Sequence, residues 1–226
     1  MENVALILGG GIGVRFGSSL PKQYHKVKGH PVIDYVIDAC ERASLVDHIV
    51  VVCDQQAAAL SPKLQSGTVE IVPPGSERLL SLENGLRYIQ HHYDCGKVCI
   101  FDAVAPLVYP ALINDYLAKL DDYDMVITCQ KITGELGNYE YDTLNRNDYY
   151  ITQSPESFRF PLLMEHFDPH FASTELANHF PKATKRYLNF DFPQNHKLTY
   201  DFDLKYIENM IAAFRGDAFC QNDSTP

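Results

Sequence analysis

The sequence predicts an α/β protein built on a Rossmann-like, mostly parallel sheet with helices on both faces, and three observations carry that prediction. Apolar runs of strand length alternate with amphipathic segments along most of the chain. The first run, Val4–Leu8, is apolar without interruption, as a strand buried on both faces requires. It ends in a glycine-rich loop, where an open parallel sheet forms its ligand crevice. The 226 residues, 46% hydrophobic and 21% charged, are enough for one domain spanning 1–226.

The elements follow in order. After the first strand, Pro31 opens a helix whose residues Val32, Tyr35, Val36 and Ala39 share one face. His48–Cys53 is a second strand and Val69–Val72 a short third. A helix over 76–89 carries Leu79, Leu82, Leu86 and Ile89 on one stripe. Lys97–Phe101 is a strand ending at Asp102, 110–120 a helix, and Met125–Thr128 another strand. Residues 131–150, polar and rich in Tyr and Asn with turns at Gly134 and Gly137, read as a protruding β-arm of a length that is usually functional. A short helix over 161–167 and a last one over 201–214 precede a frayed tail, 215–226.

Composition narrows function. Nineteen Lys and Arg against 29 Asp and Glu leave a net charge of −10, which excludes wholesale binding to nucleic acid or to an anionic membrane. A small phosphorylated ligand, needing only a few local cations, remains open. The short apolar start is no signal peptide and no stretch is long enough to span a membrane, so a cytoplasmic location is expected. Most of the six cysteines sit in apolar segments and read as buried free thiols. His91-His92 lacks a third ligand at metal spacing and reads as a solvated helix end.

The candidate chemistry starts in the loop Gly9-Gly10-Gly11-Ile12-Gly13-Val14-Arg15-Phe16-Gly17. Glycines there let the backbone approach a ligand and aim N–H groups at phosphate oxygens. The spacing is neither the dinucleotide fingerprint, which needs glycine where Val14 or Phe16 stands, nor the G-x-x-x-x-G-K-[ST] loop. An NAD-dependent oxidoreductase is therefore a lesser reading. Arg15 and Lys22 can both close on one triphosphate and offset the charge that grows at a five-coordinate phosphorus.

The loop with PKQY at 21–24 resembles that of the polyol-phosphate cytidylyltransferases, the family of 2-C-methyl-D-erythritol 4-phosphate cytidylyltransferase and its ribitol and glycerol phosphate relatives. Three further motifs follow in order: PPGSERLLSL (73–82), FDAVAPLV (101–108), and TQSPESF (152–158) with HKLTYDFDL (196–204). The resemblance implies the nucleotidyltransferase version of the fold, CTP and a polyol phosphate as substrates, and Mg²⁺ as cofactor. It places Gly9, Gly10, Gly11 and Gly13 along the nucleotide, with Arg15, Lys22 and Lys197 as the catalytic cations on its phosphates. Gly75, Ser76, Arg78 and Ser81 fall in the base-recognition stretch, where Gly75 and Ser76 would read the cytosine edge through their backbone. Asp102 would be the metal carboxylate and orient the acceptor, while Asp203 would be structural. The arm would cross to the neighbouring subunit of a homodimer, with Thr133 and Arg146 reaching the acceptor there.

One departure bears on the acceptor. The family's D-A-x-R-P is here Asp102-Ala103-Val104-Ala105-Pro106, so Ala105 replaces an arginine at an acceptor-facing position. Loss of a guanidinium removes bidentate contacts to a phosphate or to hydroxyls. It favours ribitol 5-phosphate or a glycerol phosphate, feeding capsule or teichoic acid polymers, over methylerythritol phosphate as the alternative.

Overall fold

The computed structural model describes residues 1–11 and 16–215, with no side-chain description at 214 and 215. Gly13, Arg15 and the tail beyond 215 lie outside those residues. Seven strands form one sheet: β1 (Glu2–Leu8), β2 (His48–Val52), β3 (Glu70–Val72), β4 (Cys95–Asp102), β5 (Met125–Lys131), β6 (Tyr150–Arg159) and β7 (Arg186–Asn189). Their order is β3-β2-β1-β4-β6-β5-β7. The pairs β1–β2, β1–β4, β2–β3 and β5–β7 are parallel, and only β6 runs against its neighbours. The mostly parallel sheet read from the sequence is therefore present.

Its two faces follow from strand alternation. On β1, Ala5 and Ile7 point to the core under α1 (Val32–Glu41), α4 (Pro110–Lys119) and α6 (Asp203–Arg215). Val4 and Leu6 point to the opposite core, under α3 (Arg78–His92) and α5 (Phe160–His166). A four-residue α2 (Pro62–Gln65) completes the helices among the described residues. The stripe Leu79, Leu82, Leu86 and Ile89 on α3 is buried, at about 1.5–3 kcal/mol per side chain. Gly85 lets that helix lie close: a Cβ there would stand 2.6 Å from Leu6 Cδ1 and 2.9 Å from Val52 Cγ2. Close docking sets the start of α3 beside the C-terminal ends of β1 and β4.

Two strands of this sheet were not foreseen, β6 and β7, nor was the short antiparallel pair Lys26–Val27 and His30–Pro31 outside it. TQSPESF hides a strand because Pro155 and its polar residues break the apolar alternation. A buried polar chain compensates. Asn189 Nδ2 donates to Tyr116 Oη (2.7 Å), Tyr116 pairs with Thr128 Oγ1 (2.7 Å), and Thr128 donates to the Pro155 carbonyl (2.7 Å). Those bonds join β7, α4, β5 and β6, so β6 is held by specific polar contacts where hydrophobic pattern is weak.

The region read as a β-arm is different in kind. The β5–β6 ladder ends at Lys131↔Tyr150, and between them no strand forms, only a short 3₁₀ turn at Arg146–Asp148. It is a long loop on an antiparallel stem, with Tyr139 and Tyr141 fully exposed. Its few apolar residues, Ile132, Leu136 and Leu144, are too sparse to give either face a core to bury, and no strand forms there in this chain.

Candidate active site

A cleft of about 850 Å³ opens over the C-terminal ends of β1 and β4. Leu8–Gly11, Pro21–Tyr24, Pro74–Arg78, Ser81, Asp102–Val104 and Lys197 form its main walls. Glycine is required at two of these points by packing. At Gly10 a Cβ would collide with Pro74 Cβ, and at Gly75 it would lie 2.6 Å from Leu80 Cβ and 2.7 Å from the Leu80 carbonyl carbon. The two loops can close on each other only without side chains there, which leaves their backbone on the cleft surface.

Side chains then fix those loops. Gln23, buried, donates from Nε2 to the carbonyls of Gly9 (2.5 Å) and Gly11 (3.1 Å). Ser81 Oγ accepts from the Gly75 N–H (3.0 Å) and donates to the Gly75 carbonyl (3.3 Å). Gly75 thus spends its N–H inside the chain, so of the two backbones expected to read a base it is Ser76 that is left to do so. Gln23 was not singled out from the sequence, although it sits in the quoted PKQY motif.

The charged centre is Asp102, the last residue of β4 and 7% exposed. Arg78 Nη1, at the start of α3, pairs with its Oδ1, and Lys197 Nζ with its Oδ2 at 2.5 Å. The Ser154 hydroxyl accepts from the Asp102 N–H at 2.8 Å. Burial pushes the Asp102 carboxyl up, but the charges of Arg78 and Lys197 outweigh it and hold the group at about 2. Lys22 enters the same cleft from the other side, its Nζ donating to the Leu198 carbonyl at 2.9 Å. Three described cations and a carboxylate whose affinity for a proton is lowered therefore share one crevice, an arrangement able to hold a polyphosphate and neutralise charge built up on it.

Of the residues expected to act, the structure brings Gly9, Gly10, Gly11, Lys22, Gly75, Ser76, Arg78, Ser81, Asp102 and Lys197 to this one cleft. Lys197, which looks solvated by itself, is an Asp102 partner. Asp203 is a cap: its carboxylate accepts from the N–H groups of Thr199 and Tyr200, both 2.8 Å, and pairs with His196. Three expected acceptor residues are elsewhere. Ala105 is 1% exposed and is no part of the cleft wall, because the turn after β4 directs it inward. Thr133 and Arg146 lie in the 132–149 loop, where Arg146 Nη1 donates to the Thr133 carbonyl (2.9 Å) and to Glu135 (3.1 Å). Within one chain, neither reaches the cleft.

A carboxyl that sequence reasoning passed over lies behind Asp102. Glu156, on β6 and 7% exposed, is pushed up to about 8 by burial and then by the charge of Glu175. Its signal in the sequence was a lone acid inside the quoted TQSPESF motif. Among the described residues, no three His, Cys, Asp or Glu side chains cluster as a metal cage. Mg²⁺ commonly takes one or two carboxylates together with water and substrate phosphates, and an ionised Asp102 fits one such ligand. The five described cysteines are buried and form no disulfide. No described helix is long and apolar enough to cross a membrane.

A parallel-sheet crevice lined by glycine backbone, three cations and one strand-end aspartate defines the class, an α/β nucleotidyltransferase. Residues 3–211 match the family model described as 2-C-methyl-D-erythritol 4-phosphate cytidylyltransferase, and the chain belongs to that CTP-dependent family. The 2-C-methyl-D-erythritol 4-phosphate cytidylyltransferase of Lachnoclostridium phytofermentans is 31% identical over 179 residues, covering 74% of this chain and 76% of that one. The bifunctional ribulose 5-phosphate reductase/CDP-ribitol pyrophosphorylase of Haemophilus influenzae is 28% identical over 178 residues. That match covers 74% of this chain but spans only 38% of the bifunctional protein's length. Among solved structures, the 4-diphosphocytidyl-2C-methyl-D-erythritol synthase of Anaerococcus prevotii superposes with a TM-score of 0.76, covering 93% of this chain and 98% of that chain. At 21% identity, that likeness speaks for the fold.

Proposed function

We propose that the chain transfers CMP from CTP to 2-C-methyl-D-erythritol 4-phosphate, releasing pyrophosphate. The observation that carries the transfer itself is the convergence of Lys22, Arg78, Lys197 and Asp102 on one cleft. An acceptor phosphate oxygen attacks the α-phosphorus of CTP in line; the new O–P bond forms as the bond to the β-phosphate oxygen breaks. Lys22 and Lys197 bind and neutralise the phosphates, Arg15 is expected to join them, and the Gly9–Gly11 backbone seats the chain of phosphates. Asp102 would hold Mg²⁺, which when bound supplies further charge neutralisation at the phosphates. No covalent enzyme intermediate is needed.

The acceptor is supported by the family description and by relatives that bear its name. A second reading, ribitol 5-phosphate or a glycerol phosphate feeding capsule or teichoic acid polymers, rests on Ala105 in place of arginine and on the Haemophilus influenzae relative. It is the weaker of the two, since the buried Ala105 touches nothing in the cleft and argues only through a missing contact. In this proposal the enzyme is a cytoplasmic homodimer in which the 132–149 loop of one subunit brings Thr133 and Arg146 to the acceptor phosphate of the other. Pyrophosphate release measured with CTP and each acceptor in turn tests the choice. The highest kcat/KM is expected with methylerythritol phosphate. A higher value with ribitol 5-phosphate or a glycerol phosphate would overturn it, and no release with any of them would sink the transferase reading.

A further inference from the structure

Behind Asp102, carboxyl groups outnumber basic side chains. Three carboxyl groups lie near one another: Asp102, which meets Arg78 at the end of β4, Glu156 on β6 paired with Ile100 two residues before it, and Glu175, from the segment before β7, on Thr152 of the same β6. Two cations serve them, Arg78 and Lys197, and in this structure both sit on Asp102. Glu175 accepts the Thr152 hydroxyl on one oxygen, yet its Oε1 is buried with no hydrogen-bond partner. Glu156 Oε2 is likewise buried and unpartnered, on a side chain more than nine-tenths buried. A buried oxygen without a donor is costly, and two such oxygens within electrostatic reach of one guanidinium offer it a second station. Arg78 has donors to spare, because only Nη1 of its guanidinium is bonded to a described residue.

We propose that Glu156 and Glu175 are positioning residues, a second station to which Arg78 transfers from Asp102 when substrate fills the cleft. The transfer answers a conflict in the ligand-free arrangement. Both Asp102 oxygens carry a cation, and although each keeps a free lone pair, a metal ion brought to the carboxylate meets two positive charges beside it, so departure of one cation favours its uptake. Lys197 stays with the incoming phosphates. Arg78, at the start of a helix that Gly85 packs firmly against the sheet, moves only its side chain. The inference rests on the nucleotidyltransferase reading and adds to it what the ion pair does during the cycle.

The test compares the wild-type protein with Glu156→Leu and with Glu156→Gln, which keeps the shape should the leucine variant fail to fold. Crystals grown with CTP and Mg²⁺ are expected to show the wild-type guanidinium bridging Glu156 and Glu175, and in Glu156→Leu, where only half of that station is left, still on Asp102. Calorimetric titration with CTP and Mg²⁺ is expected to weaken about tenfold in Glu156→Leu, and less in Glu156→Gln, whose amide oxygen still accepts. Arg78 remaining on Asp102 in the loaded wild-type protein, or unchanged affinity in both variants, overturns the proposal and leaves the functional reading standing. Failure of the wild-type protein to bind CTP at all overturns both.

Discussion

The cleft floor and the 132–149 loop use the same device, a basic side chain on an acidic one, with opposite consequences. Asp102 is 7% exposed and meets two cations, and the whole cluster is fixed between β4, α3 and the segment after β7. The Arg146–Glu135 pair has side chains 40% and 86% exposed and belongs to a loop without a strand. In low dielectric, the first arrangement holds charges in a set geometry; in water, the second contributes little and fixes nothing. The cleft is therefore prepared by its own chain, whereas the loop holds no such fixed arrangement within it.

That contrast breaks most sharply at Asp102. Asp102→Asn deletes the anion that holds Arg78 and Lys197, and kcat/KM is expected to fall by about 10³-fold in the pyrophosphate-release assay. The same variant has a signature in acid. Asp102 is held below its ordinary value of 3.8, so its contribution to stability is present above that value and is lost as the pH falls towards about 2. Wild-type stability should decline across that interval more steeply than that of Asp102→Asn, as followed by urea unfolding. Lys22→Ala is expected to cost less, about 10²-fold in kcat/KM, because Lys197 remains on the phosphates. Its Nζ also holds the Leu198 carbonyl, so loss of that bond is expected to lower the melting temperature by a few degrees at most.

The two regions also differ in how much the sequence revealed. Val4–Leu8, His48–Val52 and the α3 stripe were legible because burial on one or both faces leaves a period that can be counted. The glycine loop and Asp102 were legible as a strand end facing a crevice. The partnership of Arg78, Lys197 and Asp102 was not, since it joins residues 24 and 95 positions apart through the sheet order. β6 was missed because its stability comes from the Tyr116–Thr128–Pro155 bonds rather than from apolar alternation. Gln23 and Glu156 were on the page as letters in recognised motifs, but a buried polar side chain has no period. Alternation alone misread the loop as a β-arm, as it says nothing about whether a partner strand exists.

Glu156 offers a smaller, graded way to sharpen the contrast, because it is a charge site that the folded chain disfavours. Its carboxyl is raised from 4.5 to about 8 by burial and by Glu175, so the folded state binds a proton that the unfolded state gives up. Stability from this group is complete below 4.5 and is lost as the pH rises towards about 8. Glu156→Gln removes the titration. Its melting temperature relative to wild type should therefore rise by several degrees across that interval; a constant difference would show that Glu156 is not the group responsible.

The least effect on the chain itself is expected at Arg146, and there the comparison can be broken outright. Arg146→Ala removes an exposed pair and should change unfolding free energy by no more than about 0.5 kcal/mol. If the loop serves the acceptor of a second copy, the variant should raise KM for the acceptor and leave that for CTP unchanged. Mixing decides between service in the same chain and service in trans. In a mixed dimer of Lys22→Ala and Arg146→Ala subunits, one site combines both defects. The other pairs an intact cleft with an intact loop. Random reassortment of equal amounts should then restore about a quarter of wild-type activity from two impaired proteins. A loop acting on its own cleft gives every site one defect or the other, and mixing restores nothing.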